Sequence, residues 1–157
     1  MIFSQRTLML AFASGAGAGY FPWAPGTAGT LVALPLSIAL NRIAAARLSL
    51  ALITLAAFVV LAAWVSARGE ELFGKKDAQK IVIDEMAGFL VANFLWPLGL
   101  SSTAFAFLLF RFFDIVKPYP ARRAERIHGG WGVVLDDLIA GLYTLLSLRL
   151  LAPWGLL

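Results

Sequence analysis

Three groups of polar residues interrupt the apolar stretches of this 157-residue chain: Asp84 with Glu85, Arg111 with Asp114 and Lys117, and Asp136 with Asp137. Carboxylates are hard oxygen donors. Asp84, Glu85, Asp136 and Asp137 together make a ligand set suited to Mg²⁺, which is held by one or two carboxylates and fills its remaining positions with water and phosphate oxygens. Arg111, Asp114 and Lys117 recur at i, i+3 and i+6, so they line one face of a helix end, where Arg111 and Asp114 can pair. Adjacent helical residues point about 100° apart. One of Asp136 and Asp137 is therefore expected to face the metal while the other meets a basic side chain.

A second constellation lies in the run PGTAGT. Pro25 breaks the incoming structure, Gly26 and Gly29 let backbone amides approach a ligand, and Thr27 and Thr30 add hydroxyl donors at what reads as a helix N-terminus. Helix N-termini bind anions, so a phosphate group is expected here beside the metal. The run lacks the lysine of a nucleotide-binding loop. His128, in HGGWG, is the single histidine and is expected on the same face, as a phosphate contact or a general acid. With no cysteine in the chain, disulfides, thiolate metal sites and cysteine nucleophiles are excluded.

The elements that must carry these residues are membrane helices. Hydrophobic residues make up 61% of the chain and charged residues 14%, more apolar surface than a soluble domain of this length buries. From Leu48 to Ala67 no charge occurs, and about 20 such residues are what a helix needs to cross the hydrocarbon. We expect an all-α bundle of four to five transmembrane helices forming one integral membrane domain over residues 1–157. The spans expected are a helix from the PGTAGT run to about Leu40, Leu48 to Ala67, Ile81 to about Leu98, Thr103 to about Val116, and Trp131 to about Leu151. Ahead of them, the Gly-rich segment from Thr7 and the broken stretch through Thr30 leave two paths, a crossing or a re-entrant turn.

The polar stretches 68–80 and 117–130 are separated by two spans and so share a side. They carry Arg68, Lys75, Lys76, Lys80, Lys117, Arg122, Arg123 and Arg126, against Arg42, Arg47 and Arg149 opposite, which puts them in the cytoplasm by the positive-inside rule. The formal charge of +4 then reflects topology and contact with membrane lipid headgroups rather than a nucleic acid partner. All five acids near the spans (Asp84, Glu85, Asp114, Asp136, Asp137) fall at that same face. A carboxylate inside a membrane helix is unfavourable by about 2.5–3.5 kcal/mol, so five need a shared cation or a set of ion pairs. A proton- or cation-coupled transporter would also place acids in its helices, but toward the midplane.

Four stretches, PWAPGTAGT (22–30), IVIDEMAGF (81–89), FRFFDIVKPYP (110–120) and HGGWGVVLDDLIAGL (128–142), together resemble the phosphatidylglycerophosphatase A family of bacterial inner membranes. The resemblance implies a Mg²⁺-dependent phosphatase acting on phosphatidylglycerophosphate, a phospholipid substrate, at the cytoplasmic leaflet. It also implies that Thr27, Thr30, Asp84, Glu85, Arg111, Asp114, Lys117, Asp136 and Asp137 form its site.

Overall fold

The computed structural model describes residues 4–97 and 99–154. Among them there are seven α-helices and no strand: α1 (Gln5–Ala13), α2 (Pro25–Ala46), α3 (Leu48–Phe73), α4 (Ile83–Ala92), α5 (Leu100–Val116), α6 (Ala121–Ala124) and α7 (Gly130–Leu151). Pro25 opens α2, where its missing N–H is no loss and its fixed φ suits a first turn. Arg47, in extended conformation, alone joins α2 to α3, so the two form a tight antiparallel hairpin. Gly74, left-handed at φ 64°, ends α3 by returning its N–H to the Glu70 carbonyl.

Two helices, α2 and α3, are long and apolar enough to cross a membrane. On α3 only 22% of the most apolar window is buried, and Leu52, Ile53, Val60, Leu61 and Trp64 all face outward. An apolar face of that extent on one helix is a surface for lipid rather than for water. α7 is as long as α2, at 22 residues, but carries Asp136 and Asp137. α5 has 17 residues.

The expected span from Ile81 to about Leu98 is not a continuous helix. α4 stops at Ala92 after 10 residues, about 15 Å of rise, half of what a crossing needs; Leu98 itself lies outside the described residues. The break has a physical cause in α2. Asn41 donates to the Asn93 carbonyl at 2.8 Å and accepts from the Leu95 N–H at 2.6 Å, while the Asn93 amide reaches the Ser37 hydroxyl at 2.6 Å. Leu95 turns through positive φ, and Arg149 of α7 donates to its carbonyl at 2.8 Å. Polar side chains thus satisfy the end of α4 where further helix would otherwise do so. The segment from Thr7 is likewise too short to cross as a helix: α1 has nine residues and is followed by a turn and a 3₁₀ segment, Ala18–Tyr20.

The core is built around α4, which packs against α2, α3, α5 and α7. Phe89 of α4 and Phe110 of α5 are fully buried with ring centroids 5.9 Å apart. Gly88 and Gly141 set the α4–α7 crossing. A Cβ on Gly88 would lie 2.6 Å from the Asp137 carbonyl oxygen, and one on Gly141 would strike the Gly88 carbonyl. Small residues allow such close approach between helices. Gly88→Ala is therefore expected to destabilise the protein by about 1–3 kcal/mol, seen as a lower melting midpoint in detergent. Melting together with the parent protein would mean that this crossing has slack.

Candidate metal and phosphate site

Four helices present polar ends to one cavity of about 400 Å³. α4 contributes Asp84 and Glu85 from its first turn, α5 contributes Arg111 and Asp114 from its last two turns, and α7 contributes Asp136 and Asp137 from its second. Lys117 follows α5 as its left-handed cap residue, and Gly26 and Thr27 stand at the start of α2. Asp84, Asp114, Asp136 and Asp137 are all buried, with 3–8% exposed.

The ion pairs divide these acids into two sets. Arg111 donates to Asp114, as the i, i+3 spacing predicts. Lys117 donates to both Asp136 and Glu125. Burial by itself pulls the Lys117 ammonium toward neutrality, but its hydrogen bonds to Asp136 and Glu125, with the charges of Asp136 and Asp137, outweigh that and hold its pKa above the ordinary lysine value. Asp84, Glu85 and Asp137 remain, and each offers an oxygen within 4.8 Å of the others. Of the adjacent pair on α7, then, Asp136 meets the base and Asp137 joins the acidic group.

Six carboxylates, Asp77 included, line this cavity with two cations, and Asp84 Oδ1, Glu85 Oε2, Asp136 Oδ1 and Asp137 Oδ1 are buried without a hydrogen-bond partner. Buried polar atoms are ordinarily satisfied. Acceptors this close to one another and facing one space match a hard divalent cation, by donor type and by charge. The site has an anion-accepting side as well. Arg111 Nε is buried without a partner. No side chain caps α2, so the first-turn amides at Gly26 and Thr27 open toward the cavity. Gly26 leaves room for these groups: a Cβ there would displace Glu85 Oε1 and lie 2.9 Å from the Arg111 guanidinium.

Other residues expected in the site lie elsewhere. Thr30 is fully buried and donates to the Gly26 carbonyl at 2.8 Å, satisfying its hydroxyl within α2. Gly29 packs against Val82. Their positions face the bundle interior because α2 is already helical from Pro25, and neither residue lines the cavity. His128 is exposed in the turn before α7 and does not line the cavity. Conversely, Trp23, Asp77 and Gln79 line the cavity from the loops before α2 and α4, and Glu125 holds Lys117. Their local sequence has no periodicity that points inward; only the clustering of Lys117 and Glu125 in one polar stretch hints at the pair.

Comparison with known proteins covers this same span. Residues 11–152 match the family model described as phosphatidylglycerophosphatase A. A Bacteroides thetaiotaomicron protein with the provisional name phosphatidylinositol-3-phosphatase is 38% identical over 151 residues, covering 90% of this chain and 91% of the relative. The proteins named phosphatidylglycerophosphatase A of Haemophilus influenzae and Escherichia coli are 33% and 32% identical, over 92% and 82% of this chain and 88% and 74% of their own lengths. No solved structure matches.

Proposed function

The chain belongs to the phosphatidylglycerophosphatase A family, and we propose that it hydrolyses the terminal phosphomonoester of phosphatidylglycerophosphate, giving phosphatidylglycerol and inorganic phosphate. The observation that carries this reading is the cavity itself, lined both by an unpartnered carboxylate group and by Arg111, whose buried Nε has no partner. Metal and phosphate are thereby recognised side by side. Asp84, Glu85 and Asp137 would hold Mg²⁺, with Asp136 beside them on Lys117. When bound, such an ion polarises the phosphoryl oxygens and lowers the pKa of a coordinated water.

The protein's own groups do the rest. Arg111 and the α2 amides bind the phosphate oxygens, and Arg111 and Lys117 offset the charge that develops on the phosphoryl group as the ester P–O bond breaks and the new bond to water's oxygen forms. Asp114 keeps the guanidinium in place. The attacking water gives up a proton as its oxygen bonds to phosphorus, and the released glycerol oxygen takes one up, so that the lipid departs as the alcohol.

In this reading the chain is a multi-pass protein of the bacterial inner membrane. Its site lies at the cytoplasmic face, because the polar stretches carrying eight of the basic residues adjoin it. The apolar exteriors of α2 and α3 support membrane residence. A transporter with relay carboxylates finds no support: the acids gather at one end of the helices, and the relatives bear phosphatase names.

Purified protein in detergent micelles is expected to release phosphate from phosphatidylglycerophosphate with Mg²⁺ and to stop in excess EDTA, with activity restored by added Mg²⁺. Turnover that continues undiminished in EDTA would remove the metal from the mechanism. No turnover by folded protein with any divalent ion would remove the phosphatase reading altogether.

A further inference from the structure

A second pocket, of about 300 Å³, adjoins the cavity and shares Lys117 with it. Its polar lining is Arg122, Arg123 and Arg126, and none of the three makes an ion pair among the described residues. Arg122 reaches the Val116 carbonyl at 3.4 Å; Arg123 donates to the Tyr119 hydroxyl at 3.1 Å, and its guanidinium carbon lies 5.0 Å from that ring's centre. Glu125, the acid within this run, is turned away to Lys117. Tyr143 of α7 donates to the Tyr119 carbonyl at 2.6 Å, which ties the pocket wall to the helix bearing Asp136 and Asp137. The pocket is therefore positive through three arginines without an acidic partner among the described residues, and its wall is tied to the helix that lines the cavity.

Next to it, Phe112, Ile115, Val116 and Tyr119 are exposed, with Ile115 at 71%. Phe112, Ile115 and Val116, at spacings of three and four on α5, form one apolar strip, and Tyr119 in the turn beyond the helix end extends the apolar surface to the arginines. A ligand that fits carries an anion where the strip ends, apolar chains along the strip, and a second anion reaching past Lys117 into the cavity. Resting on the phosphatase reading above, we propose that Arg122, Arg123 and Arg126 bind the phosphodiester of a lipid that carries two phosphates one glycerol apart, while the cavity takes its terminal monoester. Selectivity for such a lipid, over lipids with a lone phosphomonoester, then resides in the 117–126 segment. A polybasic stretch spread along the chain would attract any anionic surface alike; guanidiniums gathered around one pocket beside the cavity discriminate.

The test compares phosphatidylglycerophosphate with phosphatidic acid, which has the monoester but no diester. Binding of each lipid, presented in neutral nanodiscs in excess EDTA, is measured for the full chain and for an Arg122→Gln, Arg126→Gln double variant. We expect the variant to lose about tenfold in affinity for phosphatidylglycerophosphate, as removal of charge-assisted contacts does, and to change little toward phosphatidic acid. With Mg²⁺, KM for phosphatidylglycerophosphate rises by a similar factor and kcat stays within about twofold. An equal loss for both lipids, or no loss for either, overturns the proposal. Inactive but folded parent protein would sink the phosphatase reading, while the binding ratio still decides this one.

Discussion

Asp137→Asn is expected to abolish metal-dependent turnover while raising the melting temperature of the metal-free protein. The two effects have one cause. Asp137 is 3% exposed, shares its space with Asp84 and Glu85, and has a buried oxygen without a partner. Without a cation, its charge is opposed by its neighbours, and an amide of the same shape relieves that repulsion. A gain of about 1 kcal/mol would appear as roughly 2–4 °C for a chain of this size. With Mg²⁺ the order reverses. The parent gains stability by ligand binding, about 2.7 kcal/mol at a hundredfold excess over Kd, whereas the variant, short of one ligand, gains little. Loss of a metal's stabilisation of the transition state, several kcal/mol, lowers kcat/KM on the order of 10³-fold. Were Asp137 a plain ion-pair partner within the bundle, Asn would lower the metal-free melting point, since a broken buried pair is strongly destabilising. A lower melting point in EDTA would therefore refute the metal assignment.

Arg111→Lys is expected to keep the fold and lose about 10²-fold in kcat/KM. Lysine can still neutralise Asp114, so that carboxylate is not left alone in a buried place. It cannot present a planar fork. In the native site Asp114 accepts from one terminal nitrogen of the guanidinium, both terminal nitrogens lie beside Gly26, and Nε stays buried and unengaged. That leftover donor has a use only when an anion arrives. Preorganised donors aimed at developing charge are worth about 2.7–4 kcal/mol each, and part of that survives in an ammonium. Full activity in Arg111→Lys, with phosphate release unchanged at low substrate, would show that the group serves Asp114 and nothing else.

The helical class, the apolar α2–α3 hairpin and the main polar residues of the cavity were legible because they rest on local chemistry. Arg111 and Asp114 pair as their spacing requires, and the 100° step between Asp136 and Asp137 does send one to Lys117 and the other to the acidic group. What escaped depends on distant partners. Nothing in the apolar run around Phe94 announces that α4 stops; Asn93 and Pro97 are the hints, but Asn41, 52 residues earlier, closes the helix end. Thr30 reads as a phosphate ligand until Gly26 is seen to accept its hydroxyl within one helical turn. The loops placing Trp23, Asp77 and Gln79 on the cavity wall have no period from which an inward face can be read.

The abrupt end of α4 also bears on how the protein is made. A 10-residue helix is too short for the insertion machinery to accept as a membrane segment in its own right, and its end is sealed by Asn41 and Ser37 from the earlier chain and Arg149 from near the finish. On the proposed multi-pass topology, Asp84 and Glu85 would settle only once the last helix brings Asp137 and the Arg149 contact. A chain cut short before α7 would keep the Arg111–Asp114 pair but lack Asp136, Asp137 and that contact.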